Sequence, residues 1–482
     1  MLLAELFPYA NLVYNILLGL YFLTVLTVIV VVLSENRNPV KSMAWVLVLV
    51  LLPVVGLVIY LIFGRSLKGM VLISRSTLRE LRRMNDFSYS AQAAEGFTEE
   101  SRQLISLVNK LVGPHLFTGN EVKVFTGGAD KFESLKRDIA SATDHIHLQY
   151  FIIENDEVGA DLLALLMEKA RQGVQVRVLY DYVGSFYMRP SVLKRMREAG
   201  IEVHPFLELS LTQFAFRVNW RNHRKIVVID GRVGYLGGMN IADRYVNGDK
   251  HWRAWRDTHL RVEGEAVMAL QYTFAIDWNF TTRKLLNSPS MRFQGTPASS
   301  GLAMQMMASG PTNRWNNISI VFFKAITLAK HRVFVQTPYF LPSDALLKAL
   351  ESAALSGVDV RLMIPRRLDS EMLRLATGSY IKECLLSGIR VYMYEPTVMH
   401  AKVLIVDDEF VTTGSTNFDF RSFEHNFEFN TLIYSKELNA KMREVFEDDM
   451  QQCTRLSMGK WKQRPLVQKA LESVIRLISP IL

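Results

Sequence analysis

Two long runs of apolar residues stand near the start of the chain. Neither Leu12 to Leu33 nor Met43 to Phe63 contains a charged side chain, whereas residues 34 to 42 between them are polar and charged. At about 1.5 Å per helical residue, each run is long enough to cross the roughly 30 Å hydrocarbon layer of a bilayer. Met1 to Tyr9 lacks the positive charge of a secretory signal. The pattern predicts a retained two-helix transmembrane hairpin within residues 1–70.

Basic residues are distributed unevenly around these two runs. The turn between them holds Arg37 and Lys41. A denser basic group follows the second run: Arg65, Lys68, Arg75, Arg79, Arg82 and Arg83. Because positively charged flanks stay on the cytoplasmic side, we expect a multi-pass membrane protein with a cytoplasmic body. Residues 71–116 are polar with two helical patterns, which predicts a connector.

Beyond the connector, short apolar runs alternate with amphipathic stretches, and the whole series occurs twice. IHLQYFII (146–153), GVQVRVLYD (173–181) and AGIEVHPF (199–206) recur as VFVQTPYF (333–340), GVDVRLMIP (357–365) and SGIRVYMY (387–394). Strands alternating with helices predict α/β units. Ile226–Ile229 and Val403–Val406 show no polar alternation, which indicates strands buried on both faces. We therefore predict an α/β fold of two homologous lobes, residues 117–290 and 301–458.

The most closely repeated segments are HRKIVVIDGRVGYLGGMN (223–240) and HAKVLIVDDEFVTTGSTN (400–417). The candidate site residues within them are His223, Lys225, Asp230, Gly238 and Asn240 in the first copy, and His400, Lys402, Asp407, Ser415 and Asn417 in the second. Residues two apart in a strand point to the same side, so each histidine shares a face with its lysine.

The Asp-Gly pair at 230–231 favours a two-residue hairpin turn. That turn would set Gly238 opposite His223, and the same argument sets Ser415 opposite His400, with an asparagine extending each face. Each copy then offers a histidine, a fixed positive charge, a small residue and an amide, which together suit a phosphate. Two such half-sites permit a reaction in which one histidine attacks phosphorus while the other moves the proton.

The doubled HxK(x)4D motif with its Gly/Ser-x-Asn tail resembles the phospholipase D superfamily. With the segment AWVLVLVLLPVVGLVIYLIFGR before it, the chain resembles the bacterial cardiolipin synthases over essentially its whole length. The resemblance implies two phospholipase D-like lobes packed face to face. It also implies transfer of a phosphatidyl group between two phosphatidylglycerol molecules, giving cardiolipin and glycerol through a phosphohistidine, without metal or other cofactor.

The same resemblance assigns roles to individual residues. It implies that His223 is the nucleophile and His400 the general acid and base. An acidic residue after each motif, here Asp257 and Glu428, is expected to hold the imidazole of the opposite half. Asp230 and its counterpart in the second copy belong to the motif, but the strand pleat points them away from the histidine face, so we expect structural roles for them.

Other functions use the same residues. With water as acceptor, the site would hydrolyse phospholipids as a phospholipase D does. A membrane-tethered nuclease would suit the excess of 56 Lys and Arg over 47 Asp and Glu. The two uncharged runs favour a lipid, so we expect membrane and anionic phospholipid partners and no nucleic acid. A non-catalytic scaffold is disfavoured because both motifs are complete, and two cysteines exclude a disulfide scaffold.

Three further segments were open to more than one interpretation. His145 and His147 share a strand face, but without a cysteine or carboxylate partner they indicate structural histidines rather than a metal site. The stretch Leu207 to Trp220 suits a core strand or a bilayer-facing edge. Residues 459–482 combine basic residues with apolar residues at helical spacing, which fits an interfacial helix on anionic lipid or a helix packed on the protein's own body.

Overall fold

The computed structural model describes residues 10–34, 39–52, 54–64, 68–84, 96–113, 115–208, 219–248, 252–286, 288 and 301–479. The chain divides into two compact units. One includes the N-terminal residues Met1–Ser66, and the other includes Leu67–Glu208 and Trp220–Leu482.

The N-terminal unit consists of helices. They are α1 (Ala10–Ser34), α2 (Pro39–Leu51), α3 (Val55–Ile59) and a π-helical turn (Tyr60–Gly64). Helices α1 and α2 pack against each other through Val25, Val32 and Leu49, which are buried. Among the described residues, one helix is long and apolar enough to cross a membrane, and it spans Asn11–Ser34 of α1.

The second predicted membrane span is not one helix. Helix α2 ends at Leu51 and α3 begins at Val55. The apolar part of α2, Ser42–Leu51, is too short for a hydrocarbon layer of roughly 30 Å. The sequence gives a reason, because Pro53 lacks a backbone N–H and disfavours helical geometry in the residue before it.

The larger unit begins with α4 (Arg75–Met84) and α5 (Glu99–Val112), which lie in the predicted connector. The first lobe contains β1 (Phe117–Phe125), α6 (Gly128–Ser141), β2 (His145–Tyr150), α7 (Glu157–Arg171), β3 (Gln175–Asp181), α8 (Pro190–Glu198), β4 (Glu202–Phe206), β5 (Arg221–Asn222), β6 (Ile226–Ile229), β7 (Val233–Gly237), a 3-10 turn (Asp243–Tyr245), β8 (His259–Glu263) and α9 (Val267–Thr282).

The second lobe repeats this series with additions at its end. It contains β9 (Leu302–Ser309), α10 (Asn317–Leu328), β10 (Arg332–Gln336), β11 (Phe340–Leu341), α11 (Asp344–Leu355), β12 (Asp359–Pro365), α12 (Glu371–Leu386), β13 (Arg390–Tyr394), β14 (Val403–Val406), β15 (Phe410–Gly414), β16 (Phe418–Asp419), α13 (Phe420–Glu424), β17 (Asn426–Tyr434), α14 (Lys436–Gln451), β18 (Cys453–Arg455), α15 (Met458–Lys462) and α16 (Leu466–Ile478).

The two lobes have the same strand order. The first reads β4-β3-β2-β6-β7-β8-β1 and the second reads β13-β12-β10-β14-β15-β17-β9, with β18 added at its edge. In each lobe three parallel strands continue into antiparallel ones. Strands β1 and β9 pair antiparallel and join the lobes. The predicted repeat of α/β domains is confirmed.

A shared core lies where the lobes meet. Val228 and Leu260 of the first lobe belong to the same buried cluster as Met304, Ile405 and Ile433 of the second. Strands β6 and β14 are buried at every position, as their unbroken apolar sequences predict. Burying one such side chain contributes about 1.5–3 kcal/mol, so the lobes stabilise each other.

The predicted register of the two hairpins is wrong by one residue. Ile229 pairs with Val233, and in the second lobe Val406 pairs with Phe410. Arg232 donates its N–H to the carbonyl of Ile229 as a tight turn requires, but it then bulges out of the ladder. Gly238 is therefore not opposite His223, and Ser415 is not opposite His400.

The histidines of β2 and the stretch before the first motif can also be placed. His145 and His147 are buried and both lie within hydrogen-bonding distance of Gln271. Residues 209–218 of the Leu207 to Trp220 stretch lie outside the described residues. Its two ends are buried in one apolar cluster with Phe206 and Phe427.

Candidate active site

The first motif histidine is positioned by a strand that crosses between lobes. Strand β5, directly before His223, pairs in parallel with the start of β17 in the second lobe. The His223 N–H donates to the carbonyl of Phe427 at 2.9 Å. This backbone bond fixes the imidazole beside the next residue of β17, Glu428.

The second motif histidine is positioned by the reciprocal crossing. Met399 forms a parallel bridge with Arg256 of the first lobe. The His400 N–H donates to the carbonyl of Arg256 at 2.7 Å, next to Asp257. Each lobe thus supplies one histidine to a carboxylate that belongs to the other lobe.

His223 contacts a carboxylate that is completely buried. Its Nδ1 lies 3.0 and 3.1 Å from Oε1 and Oε2 of Glu428. The hydroxyl of Ser415 donates to Oε2 of the same carboxylate, and the amide of Asn426 donates to Oε1 at 3.3 Å. With Nδ1 donating its proton to Glu428, Nε2 of His223 carries a free lone pair.

His400 has the matching arrangement. Its Nδ1 lies 2.6 Å from Oδ2 of Asp257, whose other oxygen accepts the N–H of Thr258 at 2.7 Å. A Cβ on Gly238 would stand 2.1 Å from Oδ1 of Asp257. The glycine therefore leaves room for the carboxylate that orients His400.

Two buried lysines complete the centre. Lys225 donates to the carbonyl of His223 at 2.8 Å, and Lys402 donates to the carbonyl of His400. The Nζ of Lys402 is 3.8 Å from Oδ2 of Asp257. Electrostatic interactions link both lysines to the carboxylates of both lobes, so the two half-sites form one charged centre.

Burial sets the protonation of the centre. Burial, helped by Lys402, lowers the pKa of His400 to about 4, and burial also lowers the pKa of His223. Burial lowers the pKa of Lys225 to about 7 and that of Lys402 to about 8. Without substrate, both imidazoles are therefore neutral near pH 7.

The two carboxylates are ionised in the same state. Burial by itself raises the pKa of Asp257, but Lys402 and His400 outweigh burial and hold that pKa below its ordinary value. Burial by itself raises the pKa of Glu428 as well, but His223 and Lys225 outweigh burial and lower that pKa. An ionised carboxylate against a neutral imidazole fixes the tautomer and favours a later positive charge on the ring.

The two motif asparagines are buried close to the centre. Asn240 accepts the N–H of Ile152 at 3.2 Å and donates to the hydroxyl of Tyr245 at 3.1 Å. Within the described residues, Oδ1 of Asn417 has no hydrogen-bond partner. The backbone N–H of Asn417 donates to Ser422.

The motif aspartates lie at the far end of each hairpin. Asp230 accepts the N–H groups of residues 143, 144 and 145 at 2.8 to 2.9 Å. Asp407 accepts those of residues 330, 331 and 332 at 2.7 to 3.0 Å. Both have positive φ, which Asp adopts more readily than most residues. Their carboxylates hold the hairpin turn against the start of the neighbouring parallel strand.

Several residues around the centre were missed by sequence reasoning. The Trp255 ring lies 5.2 Å and the Tyr339 ring 6.4 Å from the ring of His400, and Tyr339 donates to Asp369. Asn426 stands two residues before Glu428, and Trp255 stands two residues before Asp257. This equivalent position in the two copies is the signal from which Asn426 could have been found. In the part of the chain that the structure describes, no group of three or more His, Cys, Asp or Glu could hold a metal ion.

Comparisons with known proteins agree with this architecture. Residues 135–270 and 322–450 match the family model described as cardiolipin synthase, PLD-like domain, and residues 22–65 match the phospholipase D-nuclease N-terminal model.

Curated relatives match over nearly the whole length. The chain is 40% identical to the major cardiolipin synthase of Bacillus subtilis (strain 168), across 97% of this chain and 99% of that protein. It is 37% identical to a cardiolipin synthase of Staphylococcus aureus (strain N315), across 98% of each. Among solved structures, the phosphatidylserine synthase of Haemophilus influenzae Rd KW20 has a TM-score of 0.60 at 15% identity, covering 80% of this chain and 100% of that one. That likeness concerns the fold alone.

Proposed function

Because the chain belongs to the cardiolipin synthases of the phospholipase D superfamily, we propose that it transfers a phosphatidyl group from one phosphatidylglycerol to another, giving cardiolipin and glycerol. The observation that carries this proposal is the reciprocal pairing of His223 with Glu428 and of His400 with Asp257 across the lobes. Such a pairing supplies two oriented imidazoles to one phosphorus, as a double displacement requires.

In the first step, Nε2 of His223 attacks phosphorus and the bond from phosphorus to the glycerol oxygen breaks. His400 acts as its imidazolium and gives the leaving oxygen a proton, so that neutral glycerol departs. The incoming phosphate raises the pKa of His400 above its value in the free enzyme, and Asp257 stabilises the charged ring. The product is a phosphatidyl group bound to nitrogen of His223.

In the second step, the now neutral His400 accepts the proton of a hydroxyl on the second phosphatidylglycerol. That oxygen attacks phosphorus, the bond from phosphorus to His223 breaks, and both histidines return to their starting states. Lys225 and Lys402 stabilise the negative charge on the phosphate oxygens in both steps. We assign contacts to those oxygens to Asn240 and Asn417 as well.

The membrane arrangement is also a proposal. Helix α1 would span a bacterial cell membrane, and residues 43–63 would complete a hairpin through α2 and the short helical turns after it, which leaves the body in the cytoplasm. The packing of α1 on α2 and the N-terminal family match over residues 22–65 support a helical pair. The lobe limits 117–290 and 301–458 belong to the same proposal.

The direct test is product analysis. The purified full chain is incubated with phosphatidylglycerol vesicles, and lipids and glycerol are measured by mass spectrometry. We expect cardiolipin and glycerol from the wild type and from His331→Ala, an exposed histidine outside the centre. His223→Ala and His400→Ala should each lose at least about 1,000-fold in rate. Phosphatidic acid as the main product would replace the transferase with a phospholipase D.

The roles of the two histidines need a trapping experiment. His400→Ala, given phosphatidylglycerol labelled in its phosphatidyl group, should retain acid-labile label on His223 because proton transfer to the second alcohol is slowed. His223→Ala is the matched variant and should retain none. Label on His400 in that variant would reverse the assignment.

A further inference from the structure

The C-terminal helix α16 is turned with its polar side toward the protein. Glu472 is 3% exposed and binds Arg464 at 2.8 Å, while Arg476 pairs with Glu383 of α12 at 2.9 Å. Ser479, just after the helix, hydrogen-bonds the hydroxyl of Tyr380 at 3.0 Å. Polar contacts, together with Ile475 packed against the apolar core, therefore hold this helix on the second lobe.

The opposite side of α16 is apolar and exposed. Leu466 is 80% exposed and Leu477 is 81% exposed, with Val467, Leu471 and Val474 exposed between them at helical spacing. A surface helix of a globular protein normally buries such a stripe. Since this helix is docked through its polar side, packing on its own lobe does not account for the apolar stripe.

A cavity with several basic residues, called here the basic cavity, lies along the polar side of this helix, where Gln468 and Glu472 line it. It has a volume of about 370 Å³ and is lined from β12, α12, α15 and α16. Its cationic lining residues are Arg366, Arg374, Lys460 and Arg464. Glu472 also lines it and pairs with Arg464, and Arg374 pairs with Glu371. Trp461, which also lines the cavity, is buried, and its Nε1 has no hydrogen-bond partner within the described part of the chain. Within the same part of the chain, Nε and Nη1 of Arg464 also have no hydrogen-bond partner.

Cations and unsatisfied N–H donors around a cavity of this size suit a phosphate group. The exposed apolar stripe on the opposite side of the same helix suits acyl chains, and basic residues at a membrane surface are attracted to anionic lipid. A neighbouring protein segment would satisfy the apolar stripe but would leave the basic cavity unexplained.

We propose that α16 is a second membrane contact of this protein, lying in the interface of an anionic bilayer with its apolar stripe among the acyl chains and the adjacent basic cavity holding the phosphate of a lipid headgroup. This contact is separate from the catalytic centre and from α1. It would keep the second lobe against the surface on which lipid substrates lie.

The test measures the immersion of a nitroxide label. The full chain carries Val474→Cys in a Cys453→Ser background, since Cys384 is buried, and is reconstituted with one chain per nanodisc. Accessibility to oxygen and to a water-soluble nickel complex then reports the position of the label. Leu355→Cys, another exposed apolar position, is the matched control.

In nanodiscs containing phosphatidylglycerol, we expect the label at 474 to gain oxygen accessibility and lose nickel accessibility, whereas the label at 355 stays in water. In pure phosphatidylcholine, or with Lys460→Gln and Arg464→Gln together, the immersion at 474 should decrease. A water-exposed label at 474 in phosphatidylglycerol nanodiscs would overturn the proposal, and equal immersion in both lipids would overturn the headgroup site.

A second copy of the chain is the competing occupant of the stripe. Spin–spin broadening of the 474 label in detergent, absent at position 355, would indicate that copy and would overturn the membrane contact. The readout needs no turnover, so its failure is distinguishable from failure of the proposed transferase activity.

Discussion

At the scale of single residues, the centre depends on space as much as on charge. Gly238 has no role in proton transfer, but its missing side chain admits Asp257 to the imidazole of His400. The corresponding position of the other half, Ser415, is used differently, because its hydroxyl donates to Glu428. The two half-sites are therefore equivalent in layout and unequal in chemistry.

We expect Gly238→Ala to lower the rate of cardiolipin formation on the order of 100-fold, because a displaced Asp257 no longer orients His400. Folding should be little affected, as judged by thermal unfolding. Gly127→Ala is the control, since no atom lies within 4 Å of its added Cβ. Equal rates in the two variants would contradict this role for Gly238.

The buried lysines predict the alkaline side of the pH profile. Their pKa values of about 7 for Lys225 and about 8 for Lys402 mean that the ammonium groups of the free enzyme lose their protons as pH rises through this range. We expect kcat/KM to fall there, because the positive charges that bind phosphate disappear. On the acid side, His400 stays neutral down to a pKa of about 4.

Lys225→Arg and Lys402→Arg test this interpretation, since a guanidinium stays charged. Whatever their absolute rates, at least one should move the alkaline limb of the kcat/KM profile to higher pH. An unchanged limb in both variants would assign it to another group.

At the scale of elements, the hairpins at Asp230 and Asp407 link the two motifs to the parallel strands. Each carboxylate accepts hydrogen bonds from three backbone N–H groups at the start of a neighbouring strand. The invariant spacing from histidine to aspartate in the two copies therefore fits the distance across one hairpin. We therefore expect the aspartate to act on the position of the strand rather than on phosphate.

We expect Asp230→Ala to lower the free energy of unfolding by about 1–3 kcal/mol, because three backbone N–H groups, two of them in part-buried hydrogen bonds, lose a charged acceptor. Asp230→Asn keeps one carbonyl acceptor and tolerates positive φ, so its loss should be smaller. Chemical denaturation measures both. If Asp230→Ala instead abolished activity at unchanged stability, a direct chemical role would be indicated.

At the scale of the whole molecule, the centre forms because each motif histidine binds a carboxylate of the other lobe. The first lobe provides His223 and Asp257, and the second provides His400 and Glu428. Neither motif histidine takes its carboxylate partner from its own lobe. The continuous sheet through β1 and β9 and the shared core hold this exchange in place.

Co-expression of His223→Ala and His400→Ala chains should therefore restore no cardiolipin synthesis, because every centre formed within one chain lacks one histidine. A tagged wild-type chain expressed beside His223→Ala controls for expression of both copies. Restored activity, measured by lipid mass spectrometry, would mean that lobes pair between chains.

The apolar and polar pattern by itself determined the alternation of strands and helices in the two lobes, but it did not determine the helices of the second apolar run. Unbroken apolar runs place β6 and β14 inside the sheet, since this property depends only on neighbouring residues. His223 and Lys225 lie between β5 and β6 and not within a strand, so the predicted strand alternation is not what brings them together. The repeat of the motif likewise indicated two lobes before any contact was known.

Contacts between distant segments were decided only by the tertiary structure. The register of the first hairpin differs by one residue from the expected one, and the space at Gly238 is taken by the carboxylate of Asp257. The orientation of α16 was equally undetermined, because helical spacing defines an apolar stripe without fixing which side meets the body. These features depend on whether buried polar groups find hydrogen-bond partners in segments that are far away along the chain. A local sequence pattern does not specify such contacts.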